Sequence, residues 1–264
     1  MDVKRNLLIF LQLLRRDFYV YSKIYKKYLL NYTFIYPSLV AFCFGYIWPN
    51  VGILKNDSAT TTMVLLGTGL TATFSFAFQF NLGLLFDFKE DRFIDYQILL
   101  LRPRLIALER IFFTSIVTFV NVFPIFPMFR LLIGDYFDLS KICFYKFFII
   151  LYLGSFFCCA FNFWFTCYLK DPEKISNFWI RFNFPLIQFG GFLYPWYVIS
   201  GASKFLGKIV LINPLIYITE GLRTAVLGGD KFFPFLLSFF VLIGYSIIFI
   251  FLGFYFFKKK TDHI

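Results

Sequence analysis

The sequence predicts an all-α membrane protein with six transmembrane helices. Of its 264 residues 59% are hydrophobic and 16% are charged, and the mean hydropathy is +0.72. Soluble domains average about 45–50% apolar and about 25% charged residues. Six apolar runs are long enough for the roughly 30 Å hydrocarbon core. Most of the 26 Lys and Arg residues lie in the N-terminal segment, in the second and fourth connections and in the C-terminal tail. These three observations exclude soluble, disordered and disulfide-scaffold classes.

The first segment, 1–28, is predicted to be an amphipathic helix on the cytoplasmic membrane surface. Apolar side chains recur at steps of three and four, at Leu7, Leu11, Leu14, Phe18, Tyr21, Tyr25 and Tyr28. Basic side chains take the opposite face, at Arg15, Arg16, Lys23, Lys26 and Lys27. Such a helix lies in the headgroup region. It serves either as a simple anchor or also as a contact for a cytosolic partner.

The rest of the chain, 29–264, is predicted to be the transmembrane domain. Its spans are placed near 29–48, 62–86, 109–132, 144–169, 178–199 and 234–257. Basic residues are concentrated in the N-terminal segment, in the second and fourth connections and in the C-terminal tail. By the positive-inside rule, both termini are therefore cytoplasmic and the connection 201–232 faces outward. The same rule explains the net charge of +11 without a nucleic-acid partner.

A coupling helix is predicted at 89–101, between spans two and three. Its first residues carry both signs of charge, at Lys89, Glu90, Asp91 and Arg92, and an apolar run follows. Pro103 disfavours helical geometry at Arg102, so the helix ends there. A short rod of mixed charge suits docking into a soluble protein. A solvated loop is the alternative.

A re-entrant helical hairpin is predicted at 201–232. The apolar run 206–212 is too short to span a membrane, and Asn213-Pro214 breaks the chain after it. Tyr217, Glu220 and Arg223 follow, and the two charged residues are three apart, so they share one helix face. Charges at membrane depth favour a functional site. The alternative is a hairpin lying flat on the outer surface.

The fifth span carries the candidate lining of a translocation path. Phe189, Phe192 and Trp196 recur at steps of three and four, so they share one face, and we expect this face to line the path toward the hairpin. With Phe at 43 positions, single rings carry little weight as ligand contacts.

The order of these segments resembles the ABC-2 type permeases, the membrane subunits of ATP-binding-cassette exporters (type V). The resemblance rests on the charged segment that runs through Arg102-Pro103 to Leu108-Glu109-Arg110, and on the later sequence Gly191-Phe192-Leu193-Tyr194-Pro195, Asn213-Pro214-Leu215-Ile216-Tyr217, Glu220-Gly221-Leu222-Arg223 and Gly228-Gly229. It covers nearly the whole chain. It implies two permease copies around a central path, a coupling helix, re-entrant outer helices and a cytosolic ATPase that binds ATP and magnesium.

The sequence offers no catalytic or metal-ligating constellation. Its one histidine is His263, and Gly207-Lys208 lacks the flanking residues of a phosphate loop, since Ala202 and Ile209 stand at those places. The mid-span amides Asn121, Asn162, Asn183 and Gln188 are poor proton-transfer groups, and Ser155 and Thr166 lack a histidine partner. A transport subunit without its own cofactor is therefore expected. A secondary transporter or channel is the alternative, and an intramembrane enzyme is a more distant one.

The substrate class stays open. A lipid-linked or bare polysaccharide and an apolar drug or lipid both suit an aromatic path, because rings stack on sugars and pack on acyl chains. The expected location is a bacterial-type cytoplasmic (inner) membrane.

Overall fold

The computed structural model describes residues 3–53, 55, 57–89, 93–169, 174–229 and 231–261, and these residues form helices joined by short turns, with no strand among them. Five of the helices in these described ranges are long and apolar enough to cross a membrane. They are α1 (Lys4–Asn50), α2 (Ser58–Lys89), α4 (Pro103–Val122, continued as α5, Ile125–Ile133), α6 (Phe144–Tyr168) and α11 (Phe235–Thr261). The shorter helices are α3 (Phe93–Leu100), α7 (Lys174–Gln188, in three segments), α8 (Trp196–Ala202), α9 (Lys204–Val210) and α10 (Leu215–Leu227).

Helix α6 is the centre of the fold. It packs against α2, α4, α10 and α11, and its buried face includes Phe157, Cys158 and Phe161. Small residues allow close approach, because a methyl group at Gly154 would lie 2.8 Å from the Ile218 side chain of α10. This packing places α10, which carries Glu220 and Arg223, inside the protein.

Helix α1 runs without a break from the N-terminal segment into the first span. Its 47 residues would measure about 70 Å at 1.5 Å per residue, more than twice the hydrocarbon thickness. The predicted boundary at residue 28 is therefore a change of helix type, because a π-helical stretch, Leu29–Ile35, begins there. A second π stretch, Ala41–Ile47, follows in the same helix.

Each π-helical stretch in the described residues runs into a proline two positions later. The prolines are Pro37 and Pro49 in α1 and Pro185 in α7, where the π stretch is Trp179–Asn183. Proline has no N–H to donate, and its ring clashes with the carbonyl of the preceding turn. A wider turn, with i to i+5 bonding, accommodates this defect inside a continuous helix.

The apolar stripe of the N-terminal segment packs largely on protein. Tyr21 is buried and meets the rings of Phe80 and Phe113 edge-on, and Phe18 packs on Phe113. Only the first part of the stripe, which includes Leu7, remains exposed. The segment thus belongs to the helical core along α2 and α4. Its position relative to the membrane surface stays a prediction.

The predicted fifth span, 178–199, is not a single helix. Helix α7 ends at Gln188, and the chain turns at Gly190 and Gly191 before α8 begins at Trp196. Gly191 has a φ of +77°, a conformation that side chains with a Cβ rarely adopt. Helix α7 is accordingly absent from the five long helices. The bent pair α9 and α10, which meet at 96°, would be the sixth crossing if counted as one broken span.

Candidate functional site: a buried Glu-Arg pair

The turn between α9 and α10 is built around Asn213. Its side-chain Oδ1 accepts a hydrogen bond from the Leu215 amide at 3.0 Å, which caps the start of α10. Its Nδ2 donates to the Leu186 carbonyl of α7 at 2.6 Å. Pro214 stands at the first turn of α10, where a missing N–H costs nothing. The structure thus places the break between the two short helices at Asn213-Pro214 and ties it to α7.

Glu220 and Arg223 are fully buried on α10 and form an ion pair. Nη1 of Arg223 donates to Oε1 of Glu220 at 3.1 Å, and neither side chain has exposed surface. The same Oε1 accepts the Trp196 backbone N–H at 3.1 Å. An uncompensated charge at such burial would be strongly destabilising, so removal of either partner would leave the other without compensation.

The guanidinium of Arg223 also binds backbone carbonyls in two other parts of the chain. Nη2 donates to the Gly191 carbonyl at 2.7 Å and to the Phe192 carbonyl at 3.4 Å, and Nε donates to the Met63 carbonyl of α2 at 3.2 Å. Five donors in a rigid planar fork suit Arg to this task, which Lys could not perform. Arg223 therefore links α10, α2 and the turn after α7.

Two glycines make room for this arrangement. A methyl group at Gly67 of α2 would lie 1.8 Å from the Phe192 carbonyl oxygen and 3.0 Å from Nη2 of Arg223. At Gly191 a methyl group would meet Oγ1 of Thr219 at 2.6 Å, in addition to the backbone strain. The turn can press against α2 only because both positions lack a Cβ.

Two further polar residues of α10 stabilise its surroundings. Oγ1 of Thr219 donates to the Gly190 carbonyl at 2.9 Å. The Tyr217 hydroxyl donates to the Leu211 carbonyl at 2.9 Å, and its ring packs on Phe233 at 5.4 Å between centroids. The residues of the predicted gate, Asn213, Pro214, Tyr217, Glu220 and Arg223, thus lie on one short helix and its first turn.

The predicted common face of Phe189, Phe192 and Trp196 is wrong. These residues do not lie on one helix, because the glycine turn separates α7 from α8. Phe189 is exposed, Phe192 packs edge-on against Phe44 of α1, and Nε1 of Trp196 donates to the Gly207 carbonyl at 2.9 Å. The helical period of 3.6 residues per turn does not continue through Gly190 and Gly191, because the helix ends before them.

The predicted coupling residues fall at the other end of the molecule. Lys89 ends α2, whereas Glu90, Asp91 and Arg92 lie outside the described residues. Arg102 is exposed and has the extended backbone that Pro103 imposes. On α1, Arg15 is exposed and Arg16 binds Asp17. Of the predicted coupling helix at 89–101, the described residues show α3 over Phe93–Leu100.

Sequence reasoning missed Met63, Gly67 and Thr219 as parts of this site. Met63 contributes only a backbone carbonyl, and because every residue has one, the sequence cannot identify this contact. Gly67 stands among other small residues, Gly67-Thr68-Gly69, and this cluster is the signal that could have found it. Within the described part of the chain, no group of three His, Cys, Asp or Glu side chains could hold a metal ion.

Comparison with known proteins identifies the family. A family model described as ABC-2 type transporter matches residues 9–227, which include α1 and the whole Glu220 and Arg223 site. No curated protein and no solved structure shows a match to this chain. The match covers more than half of the chain, and the predicted resemblance to the ABC-2 type permeases is confirmed. The chain is a multi-pass membrane protein and a transport subunit, and it belongs to the ABC-2 type transporter family.

Proposed function

We propose that this chain is the permease subunit of an ATP-driven exporter, in which two copies form the path and a separate cytosolic ATPase binds ATP and magnesium. The family match over residues 9–227 is the observation that carries the proposal. Both termini face the cytoplasm of a bacterial-type inner membrane. The substrate is a lipid-linked or bare polysaccharide, or an apolar drug or lipid.

An exposed polar pair at membrane depth supports a path next to α1 and α2. The Tyr32 hydroxyl donates to Oε1 of Gln79 at 2.5 Å, and Gln79 is exposed although it lies well inside the apolar stretch of α2. Polar groups facing lipid there are costly, so such groups usually face protein or a water-filled cavity. A second copy across this surface would enclose the pair in a shared aqueous path.

The exposed end of α3 supports ATPase docking at the cytoplasmic face. Ile94 and Gln97 hold the helix against the core, whereas Tyr96 and Leu99 face outward, Leu99 with 83% of its surface exposed. Arg102 stands next to this apolar patch and is also exposed. A patch of exposed apolar residues rimmed by charge is typical of a protein interaction site.

The buried pair of α10 supports a gate that moves as one body. Arg223 connects α10 to α2 and to the turn after α7, so a displacement of α2 is transmitted to the hairpin. In this mechanism ATP binding closes the ATPase pair, the coupling region of α3 moves with it, and the hairpin opens outward.

The test is purification of the tagged chain from its own cells, followed by identification of bound proteins. A stoichiometric protein with nucleotide-binding motifs, whose ATPase activity depends on this chain, is expected. Reversal of charge with Arg102→Glu should weaken the complex about tenfold, whereas the same reversal at Lys141→Glu, an exposed lysine near the start of α6, should leave it intact. A chain that transports substrate with no ATPase bound would instead be a secondary transporter or channel.

A further inference from the structure

Helix α2 is bound near each of its ends by an arginine of another helix. At one end, Nε of Arg223, on α10, donates to the Met63 carbonyl at 3.2 Å. At the other end, Nη2 of Arg110, on α4, donates to Oδ2 of Asp87 at 3.0 Å. From Met63 to Asp87 helix α2 is unbroken, and this stretch measures about 36 Å at 1.5 Å per residue. The first contact belongs to the buried pair described above, whereas the second lies outside it.

The same nitrogen of Arg110 also reaches the short helix α3. Nη2 donates to Oε1 of Gln97 at 3.3 Å, and Gln97 is only 1% exposed. A charged donor makes such a hydrogen bond stronger than one between neutral groups. Arg110 therefore joins α4, α2 and α3 through one guanidinium nitrogen. Helix α3 is also the helix that carries the exposed apolar residues Tyr96 and Leu99.

Apolar packing also holds α3 against its neighbours, but it does so without a fixed direction. Ile94 of α3 is buried in one cluster with Leu84 of α2 and Ile106 of α4. Hydrophobic contact is non-directional, so helices packed in this way can slide past one another by small amounts. A hydrogen bond has narrow limits of distance and angle. The register of α3 against α2 and α4 thus depends on the bond between Arg110 and Gln97.

We propose that Arg110 is the positioning residue that passes a movement of α3 to α2, and that α2 carries this movement to Arg223 and the hairpin. The inference rests on the proposed function, in which an ATPase displaces α3. When α3 moves, the guanidinium follows Gln97 and draws Asp87 with it. Because α2 is continuous, the displacement reaches the Met63 carbonyl, to which Arg223 is bound.

The test uses the complex of the full chain with its co-purified ATPase in lipid nanodiscs, with the native cysteines of the chain replaced. The probe is Ile209→Cys, at an exposed position of α9, and the measurement is its rate of reaction with a water-soluble maleimide. In the otherwise unaltered complex, a non-hydrolysable ATP analogue with magnesium should change this rate at least fivefold. A rate that stays constant would overturn the proposal.

Gln97→Leu isolates the contact with α3. It keeps a side chain of similar size and leaves Arg110 paired with Asp87, but removes the acceptor on α3. The response of the Ile209→Cys probe to nucleotide should fall below twofold, while the ATPase still co-purifies and still hydrolyses ATP. A purely structural role of Gln97 would instead lower the yield of the complex and leave the response of the remaining complex unchanged, and this result would overturn the proposal.

Two further variants complete the test. Arg110→Gln should lose the same response, and its combination with Gln97→Leu should lose no more, because both changes break one connection. Arg104→Gln is the matched control, since this arginine is also on α4 but is exposed, and its response should equal that of the unaltered complex. An equal loss in Arg104→Gln would contradict the assignment to Arg110. A chain that co-purifies with no ATPase would refute the proposed function itself, whereas an intact complex with a full response in Gln97→Leu would refute the role of Arg110 alone.

Discussion

Gly67→Ala should be among the most damaging single-methyl changes in this chain. The added Cβ would lie 1.8 Å from the Phe192 carbonyl oxygen, whereas ordinary contacts begin at 3.4 Å, so the turn must retreat by about 1.6 Å. The Phe192 oxygen belongs to the backbone, which moves less easily than a side chain. The retreat would break the 2.7 Å bond between Arg223 and the Gly191 carbonyl. Overpacking costs about 1–3 kcal/mol and a disrupted buried ion-pair network about 3–5 kcal/mol, so we expect a loss of roughly 3 kcal/mol or more.

The assay is thermal unfolding of the detergent-purified chain, with size-exclusion chromatography as the measure of the folded fraction that remains. For chains of this size a loss of 3 kcal/mol lowers Tm by about 6–12 °C. Gly244→Ala is the control, because a methyl group at that position of α11 meets nothing within 4 Å. Tm should stay the same or rise slightly there, since Ala favours helix over Gly. If Gly67→Ala melts within about 2 °C of the unaltered chain, the close approach of the turn to α2 is refuted.

Three further predictions concern the pair, the path and the topology. Glu220→Ala leaves Arg223 buried without its partner and should cost about 3–5 kcal/mol of stability. Glu220→Leu combined with Arg223→Met should recover much of the Tm but not export. Equal melting temperatures for the single and the double variant would contradict this prediction. In a cysteine-free background, Gln79→Cys should react with a water-soluble thiol reagent in the assembled transporter. The control Ile248→Cys, which is exposed at mid-length of α11, should not react. Equal labelling of the two positions would place Gln79 in lipid. Asp57→Cys should label from outside intact cells, and labelling only after permeabilisation would invert the topology.

The helices and the polar residues of the gate were predictable from sequence for a physical reason. Apolar runs and basic flanks are direct consequences of the bilayer. The pair Asn213-Pro214 indicates the start of a new helix after a turn, because an Asn side chain can cap a helix N-terminus and proline fits the first helical turn. The partners of Arg223 were not predictable, since backbone carbonyls such as Met63 have no residue signature. The error at the fifth span came from extending a helical period through Gly190 and Gly191.

The π-helical stretches of α1 have a consequence for how this helix meets the rest of the protein. From Leu13 to Pro49 every fourth residue is buried or half-buried, through Asp17, Tyr21, Tyr25, Leu29, Thr33, Pro37, Ala41 and Gly45. On a pure α-helix each step of four advances about 40°, so nine such steps would wind the line once around the axis. Wider turns hold more residues and cancel part of that drift. The two π-helical stretches therefore help the buried residues of α1, which recur every four positions, to stay on the side of the helix that faces its neighbours. On a regular α-helix the same residues would wind around the axis and turn away from those neighbours.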